Sequence, residues 1–309
     1  MAKLSPVAVG VLFLLLGNLS SSLSDVAVKL LEGGISAFQY MFIRQLLSVV
    51  IILPFWLKLT LAQRAIGNTS ITIIRAHLVL AGSGLVMVAL TWLPLATANA
   101  LFYAAPLLML PLSAWLLKEK PERTKVLATL TGFFGVLVVL RPEHFHWAAV
   151  AALGCALTLA LYNVLVRKLP AQQPVITTLF WTGVFSLPIA AALAVIYWQP
   201  ITVDEIMLIA ASAVFTLGYH GSSVVAYRQA ETCKLGLVEY SGLVFVTIIG
   251  IIGFNEVPDL LTTIGILLII LPMMPLGKLR RNHRPNTSVP ASADKLTDEK
   301  RPQSGLFLL

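Results

Sequence analysis

Charge is what this chain has least of. Asp, Glu, Lys and Arg make up 12% of its 309 residues against 58% apolar, and the mean hydropathy is +0.87. A water-soluble domain carries about twice that share of charge, so an ordinary cytosolic enzyme is excluded. Cysteine is nearly absent as well: Cys155 lies in an apolar stretch and Cys233 in a short loop. That excludes a disulfide framework and a thiolate metal site, and leaves both as packing residues. No G-x-x-x-x-G-K-[ST] and no H-E-x-x-H is present, and no Ser, His and Asp group can be assembled. Glu143 with His144 and His146 reads as a solvated loop cluster. No catalytic residue, metal or cofactor is expected, and the chain does not read as an enzyme.

The net charge of +8 does not point to nucleic acid. Half of that excess sits in residues 278–309, and no basic patch with interleaved aromatics exists elsewhere. The tail 279–309 is rich in Pro, Ser, Lys and Arg and reads as disordered, with anionic lipid as its candidate contact. Residues 1–24 carry one Lys and an apolar run, but lack an A-x-A site, so a first membrane span is favoured over a cleaved signal peptide.

Apolar runs between charged and Pro/Gly punctuation predict ten spans at about 20 residues per crossing. They are 5–28, 36–57, 74–93, 96–117, 124–141, 146–167, 174–198, 204–227, 234–254 and 259–277. With the N-terminus placed in the cytoplasm, 19 of the 22 Lys and Arg fall in cytoplasmic segments, only Lys29 and Arg141 fall outside, and Arg44 lies within a span. The positive-inside rule then sets both termini in the cytoplasm of a cell-membrane protein.

Sliding the chain on itself by 137 residues superposes Tyr103, Glu119 and Pro121 on Tyr240, Glu256 and Pro258, and spans one to five on spans six to ten. An odd number of spans per copy turns the second copy over in the membrane. The expected fold is therefore all-α: ten transmembrane helices as two inverted five-helix repeats, 1–142 and 143–278. Such repeats suit a carrier with one midplane site. A duplicated scaffold without transport, or a membrane enzyme, is the reading from another class.

The segment Leu95-Ala-Thr-Ala-Asn-Ala100, followed by Tyr103, Pro106, Trp115, Glu119-Lys-Pro121 and Gly132-Phe-Phe-Gly135, is similar to the drug/metabolite transporter superfamily. Its ten-span EamA-type carriers are the resemblance, over residues 1 to about 278. Tyr240, Asn255-Glu256-Val-Pro258 and Gly265 supply the second copy, and Asp25, Lys29 and Arg44 fit patterns common in the family. Ala128 where the second copy has Gly265, and Trp181 where the first has Arg44, depart from strict duplication. The resemblance implies a basket of spans one to four and six to nine around a cavity, with spans five and ten as supports. It also implies a small-molecule substrate, relatives carrying amino acids, riboflavin or S-adenosylmethionine.

A charge in hydrocarbon costs at least about 2.5 kcal/mol, so intramembrane ionisable residues are candidate site residues. Asp25 and Arg44 fall at comparable depth, Arg44 about 12 Å from its span end at 1.5 Å per residue, and an ion pair between them is expected, with Lys29 as competitor. A snorkelling or purely structural pair is the alternative. Glu239 and His220 are candidates for an inner contact or proton coupling, protons being the candidate coupling ion. Asn18 and Ser22 give span one a hydrogen-bonding stripe, and Tyr103, Tyr162, Tyr219, Tyr240 and Trp92 are candidate aromatic walls. Packing hydrogen bonds and interfacial aromatics explain these residue types equally well. Glu119 and Glu256, at span ends, read as helix caps rather than substrate ligands.

The reading is a secondary carrier for a small organic metabolite such as an amino acid, flavin or nucleotide-like solute, an amino-acid exporter being the alternative within that class.

Overall fold

The computed structural model describes residues 5–118, 123–140, 146–170, 172–229, 238 and 241–270. Helix starts follow caps legible in the sequence. Ser5 accepts a hydrogen bond from the Ala8 amide and Pro6 occupies the first helical position, opening α1 (Pro6–Lys29). Ser36 accepts from the Gln39 amide at the start of α2 (Ala37–Leu57). A capping box of Thr60 and Gln63 forms the single turn α3 (Leu61–Arg64). Asn68 then accepts from the Ile71 amide and opens α4 (Thr69–Trp92).

The fourth span is broken into α5 (Leu95–Phe102) and α6 (Ala104–Leu116) at Tyr103. Pro106 has no N–H to offer the Phe102 carbonyl and its ring crowds that oxygen, so the ladder fails there. There follow α7 (Arg123–Leu140), α8 (Ala148–Leu165) with a 3₁₀ turn at Val166–Lys168, and α9 (Val175–Ile196). The last three are α10 (Val203–Gln229), α11 (Ser241–Phe254) and α12 (Leu260–Ile270). No strand occurs among the described residues.

Seven apolar helical stretches are long enough to cross a bilayer: α1, α2, α4, α5 with α6, α8 with its 3₁₀ turn, α9 and the first 21 residues of α10. Residues 129–140 of α7, together with α11 and α12, are shorter apolar helices in the order expected for spans five, nine and ten. Their outer faces are apolar: Ile252, Val195, Trp115 and Leu260 are each about three-quarters exposed. Such surfaces suit lipid rather than water, and the chain is a multi-pass all-α membrane protein.

Neighbouring helices pair off when α1, α2, α4, α5/α6 and α7 are exchanged for α8, α9, α10, α11 and α12. α1 packs on α10 as α8 does on α4, and α4 on α9 as α10 does on α2. α6 lies against α8 as α11 lies against α1, while α2–α9 and α7–α12 pair with their own counterparts. The α7–α12 contact is backbone to backbone. A Cβ added to Gly135 would lie 2.8 Å from the Gly265 carbonyl oxygen, and one on Gly265 would lie 2.9 Å from that of Gly135. Only residues without a side chain permit this approach.

Candidate functional site between the two repeats

The face holding the start of α1 and the ends of α2, α8 and α10 is termed near, the opposite face far. On the far side the helices are tied by polar contacts. Lys29, at the end of α1, donates from Nζ to the Leu93 carbonyl at 2.7 Å and pairs with Glu256 Oε1 at 3.1 Å. Glu256 Oε2 in turn accepts from the Leu95 amide at 2.6 Å, capping α5 as its position at a span end predicts. Gln39 on α2 exchanges two hydrogen bonds with the backbone of Gln199, at 3.0 and 3.1 Å.

A buried hydroxyl knot lies one layer deeper. Ser24 Oγ of α1 lies 2.9 Å from Ser212 Oγ and 3.0 Å from Thr216 Oγ1 of α10, and Tyr40 of α2 reaches Ser212 Oγ at 3.0 Å. Every partner across this knot belongs to the other repeat. Each hydroxyl satisfies another, so the knot excludes water without leaving an unpaired group.

Directly toward the near side of the knot lies a narrow cavity, with about 30 Å³ of open space, among α2, α4, α8, α9 and α10. Thr216 belongs to both knot and cavity wall. Arg44, Gln45, Ser48, Tyr162, Thr182 and His220 give the wall its polar character, while Ile52, Val79, Leu179 and Leu217 give it apolar patches. That mixture of polar and apolar groups is the kind that lines sites for amphipathic solutes.

Two arginines flank it. Arg44, 7% exposed, donates from Nε to Ser83 at 2.9 Å, with its guanidinium carbon 5.8 Å from the Tyr40 ring centroid. Arg75, 3% exposed, stacks 3.9 Å over the ring of Tyr162 and donates from Nε to the Tyr162 carbonyl at 3.2 Å. Both guanidinium groups act electrostatically on His220, whose ring packs 5.7 Å from Tyr162 and 5.2 Å from Tyr219. Among the described residues the one ion pair is Lys29–Glu256, so neither arginine is neutralised by a carboxylate.

The expected Asp25–Arg44 pair is thus not formed. Asp25 turns instead toward Asn99 of α5, and Arg44, one turn beyond Tyr40, turns into the cavity. Lys29 does not compete for Asp25 either, because its long side chain reaches the exposed backbone at the α4–α5 corner. Of the other candidates, Tyr162 and His220 line the cavity, and Tyr219 packs behind His220. Asn18 and Ser22 are buried in the α1–α11 contact: Asn18 donates to the Val238 carbonyl and to Ser241, and Ser22 to the carbonyls of Asn18 and Gly242. Tyr103 sits at the α5–α6 break, its hydroxyl over Gly242. Trp92 is 57% exposed at the far end of α4, beside Trp147 and His146, in the manner of an interfacial aromatic. Glu239 and Tyr240 lie outside the described residues. Trp181, which stands where the first repeat has Arg44, donates from Nε1 to the Arg64 carbonyl and anchors the α3 turn to α9.

Residues the sequence reading did not single out matter here. Arg75 reads as a cytoplasmic charge when span three is started at 74; the Asn68 cap starts the helix five residues earlier and puts Arg75 inside it. Ser212 and Tyr40 look like ordinary polar residues of apolar helices and acquire meaning only through partners far away in the chain, and Thr182 through its place on the cavity wall.

The family model for the EamA-like transporter family matches this chain twice, over residues 8–141 and 146–274. An S-adenosylmethionine uptake transporter of Rickettsia bellii is 26% identical over 274 residues, covering 86% of this chain and 92% of that protein. The pseudopaline exporter CntI of Pseudomonas aeruginosa is 25% identical, covering 88% of this chain and 97% of its own. A riboflavin transporter of Vibrio cholerae is 24% identical over 85% of this chain and 90% of its own. A solved crystal structure superposes with a TM-score of 0.65 at 18% identity, over 89% of this chain and 99% of that one, and so shares its fold. Two matched copies spanning most of the sequence, on an all-α membrane fold whose helix neighbours exchange in pairs, establish that this chain is a small-molecule transporter and belongs to the EamA-like transporter family.

Proposed function

We propose that the chain is a secondary carrier of the cell membrane that moves a small organic metabolite by alternating access between two inverted repeats, 1–142 and 143–278, with 279–309 as a cytoplasmic tail. The near face is cytoplasmic, a placement supported by the 18 of 22 Lys and Arg residues that remain on that side once Arg75 is placed within α4. The observation that carries the reading is the position of the cavity. It lies between the repeats, from mid-depth toward the near face, and is capped on the far side by the Ser24–Ser212–Thr216–Tyr40 knot and the Lys29–Glu256 pair. Moving that closure to the opposite side by the pseudo-twofold exchange presents the same cavity to the far side.

Arg44, Tyr162 and His220 on the wall are the substrate contacts in this reading. Asp25 and His220 are the groups suited to a coupling proton. The relatives' solutes, S-adenosylmethionine, riboflavin and pseudopaline, set the size and polarity expected of the substrate.

Reconstitution tests this. Protein in liposomes is expected to exchange at least one of labelled S-adenosylmethionine, riboflavin or a panel of amino acids, with saturation and competition by unlabelled solute, with and without a pH gradient. Folded protein that exchanges none of them contradicts the reading.

A further inference from the structure

Two buried arginines adjoin one small cavity, and among the described residues neither is paired with a carboxylate. Arg44 is on its wall, and Arg75 is one turn from the wall residue Val79 and stacked on the wall residue Tyr162. In a membrane interior an unpaired guanidinium is retained only at considerable cost, and that cost is offset when an anion sits beside it. Hydrogen-bonding capacity is left over at the same place. Arg75 Nη1 and Thr182 Oγ1 are fully buried and have no hydrogen-bond partner among the described residues, whereas buried polar groups are nearly always paired. Arg75 cannot withdraw to water, because its Nε is fixed on the Tyr162 carbonyl and its plane on the Tyr162 ring. A guanidinium held by one edge and one face keeps the other edge for a bidentate partner, the geometry that suits carboxylate or phosphate oxygens.

We infer that Arg44 and Arg75 form an anion-binding site, which takes the carboxylate or phosphate group of the transported solute while its less polar part rests on Ile52, Leu179 and Leu217. The inference deepens the carrier reading and rests on it for the word transported, although the anion site itself is a binding property. It makes the substrate an amphipathic organic anion, or a zwitterion entering anion first, and disfavours solutes whose only charge is positive. Arg75 holds the position of selector, because its free edge is the one already fixed in place. Thr182, one residue after the Trp181 that ties α9 to the α3 turn, supplies a further donor to the same anion.

The test is ligand-induced stabilisation of the full-length protein in detergent, using four probes of one size: benzoate, phenyl phosphate, benzamide and benzylammonium, at constant ionic strength. At about 10 mM, benzoate or phenyl phosphate is expected to raise the melting temperature by about 3 °C, and the two others by less than about 1 °C. The larger of the two anion shifts identifies which group the site prefers. Arg44→Gln and Arg75→Gln are each expected to abolish the shift, and Arg75→Lys to keep only part of it. Equal shifts with benzamide, no shift with either anion, or an anion shift that survives both glutamine variants overturns the proposal. The comparison of benzoate with benzamide on the unaltered protein does not depend on any variant folding. Absence of flux in liposomes with the anion shift intact overturns the carrier reading alone. Flux with no anion shift overturns the anion site alone.

Discussion

The guanidinium of Arg75 lies 3.9 Å over the ring of Tyr162 and donates to the carbonyl of that same residue, so one residue of α8 fixes both a face and an edge of an arginine on α4. Both contacts join the two repeats and are separable by mutation. Tyr162→Phe keeps ring and carbonyl and is expected to leave stability unchanged. Tyr162→Leu removes the ring, and loss of a desolvated cation–π contact is expected to cost about 1–2 kcal/mol, read by thermal unfolding. Equal effects of the two substitutions contradict the stacking account.

Lys29 bridges α1 to the α4–α5 corner and to Glu256 beyond α11. Lys29→Met removes both contacts and is expected to lower stability by about 1–2 kcal/mol while loosening the far face. Its specific sign is faster labelling of Ser24→Cys by a membrane-impermeant thiol reagent added from the far side. Unchanged labelling removes Lys29 from the far closure.

Asn18 separates packing from substrate contact. Its two donations, to the Val238 carbonyl at 2.7 Å and to Ser241 at 3.0 Å, make it a structural residue, so Asn18→Ala is expected to lower stability by about 1–3 kcal/mol. Substrate selectivity, measured as the ratio of exchange rates of two solutes, is expected to stay constant. A changed ratio at unchanged stability returns Asn18 to the site.

The α7–α12 crossing depends on bare backbone. Gly135→Leu forces a side chain against the Gly265 carbonyl and is expected to destabilise by about 1–3 kcal/mol. Gly221→Ala is the control, since a Cβ there meets nothing within 4 Å. Equal melting temperatures for the two variants contradict the close crossing.

Much of this architecture is legible in the linear chain because the forces that set it are local or periodic. Apolar runs mark the helices, Ser5, Ser36 and Asn68 mark their starts, and the spacing of Tyr103 and Glu256 from their counterparts marks the duplication. Gly135 and Gly265, glycines within otherwise aliphatic helices, meet backbone to backbone. The site is less legible, because side-chain partnership depends on rotation about helix axes that hydropathy does not encode. Asp25 and Arg44 share a depth yet make no ion pair. Arg75, seven residues after the Asn68 cap that lengthens α4, passes for a loop charge. Ser24 and Ser212 are 188 residues apart, and nothing local to either predicts their contact.

The far-side closure joins the repeats through Ser24 and Ser212, whose hydroxyl oxygens are 2.9 Å apart, close enough for a disulfide when both are replaced. The most direct test of alternating access is therefore exchange by the Ser24→Cys/Ser212→Cys variant in a Cys233→Ser background, measured in liposomes with the fastest-exchanging solute before oxidation, after it and after reduction. The account predicts that the oxidised protein, cross-linked as judged by mass spectrometry, stops exchanging and regains its initial rate on reduction. Full exchange by fully cross-linked protein contradicts it.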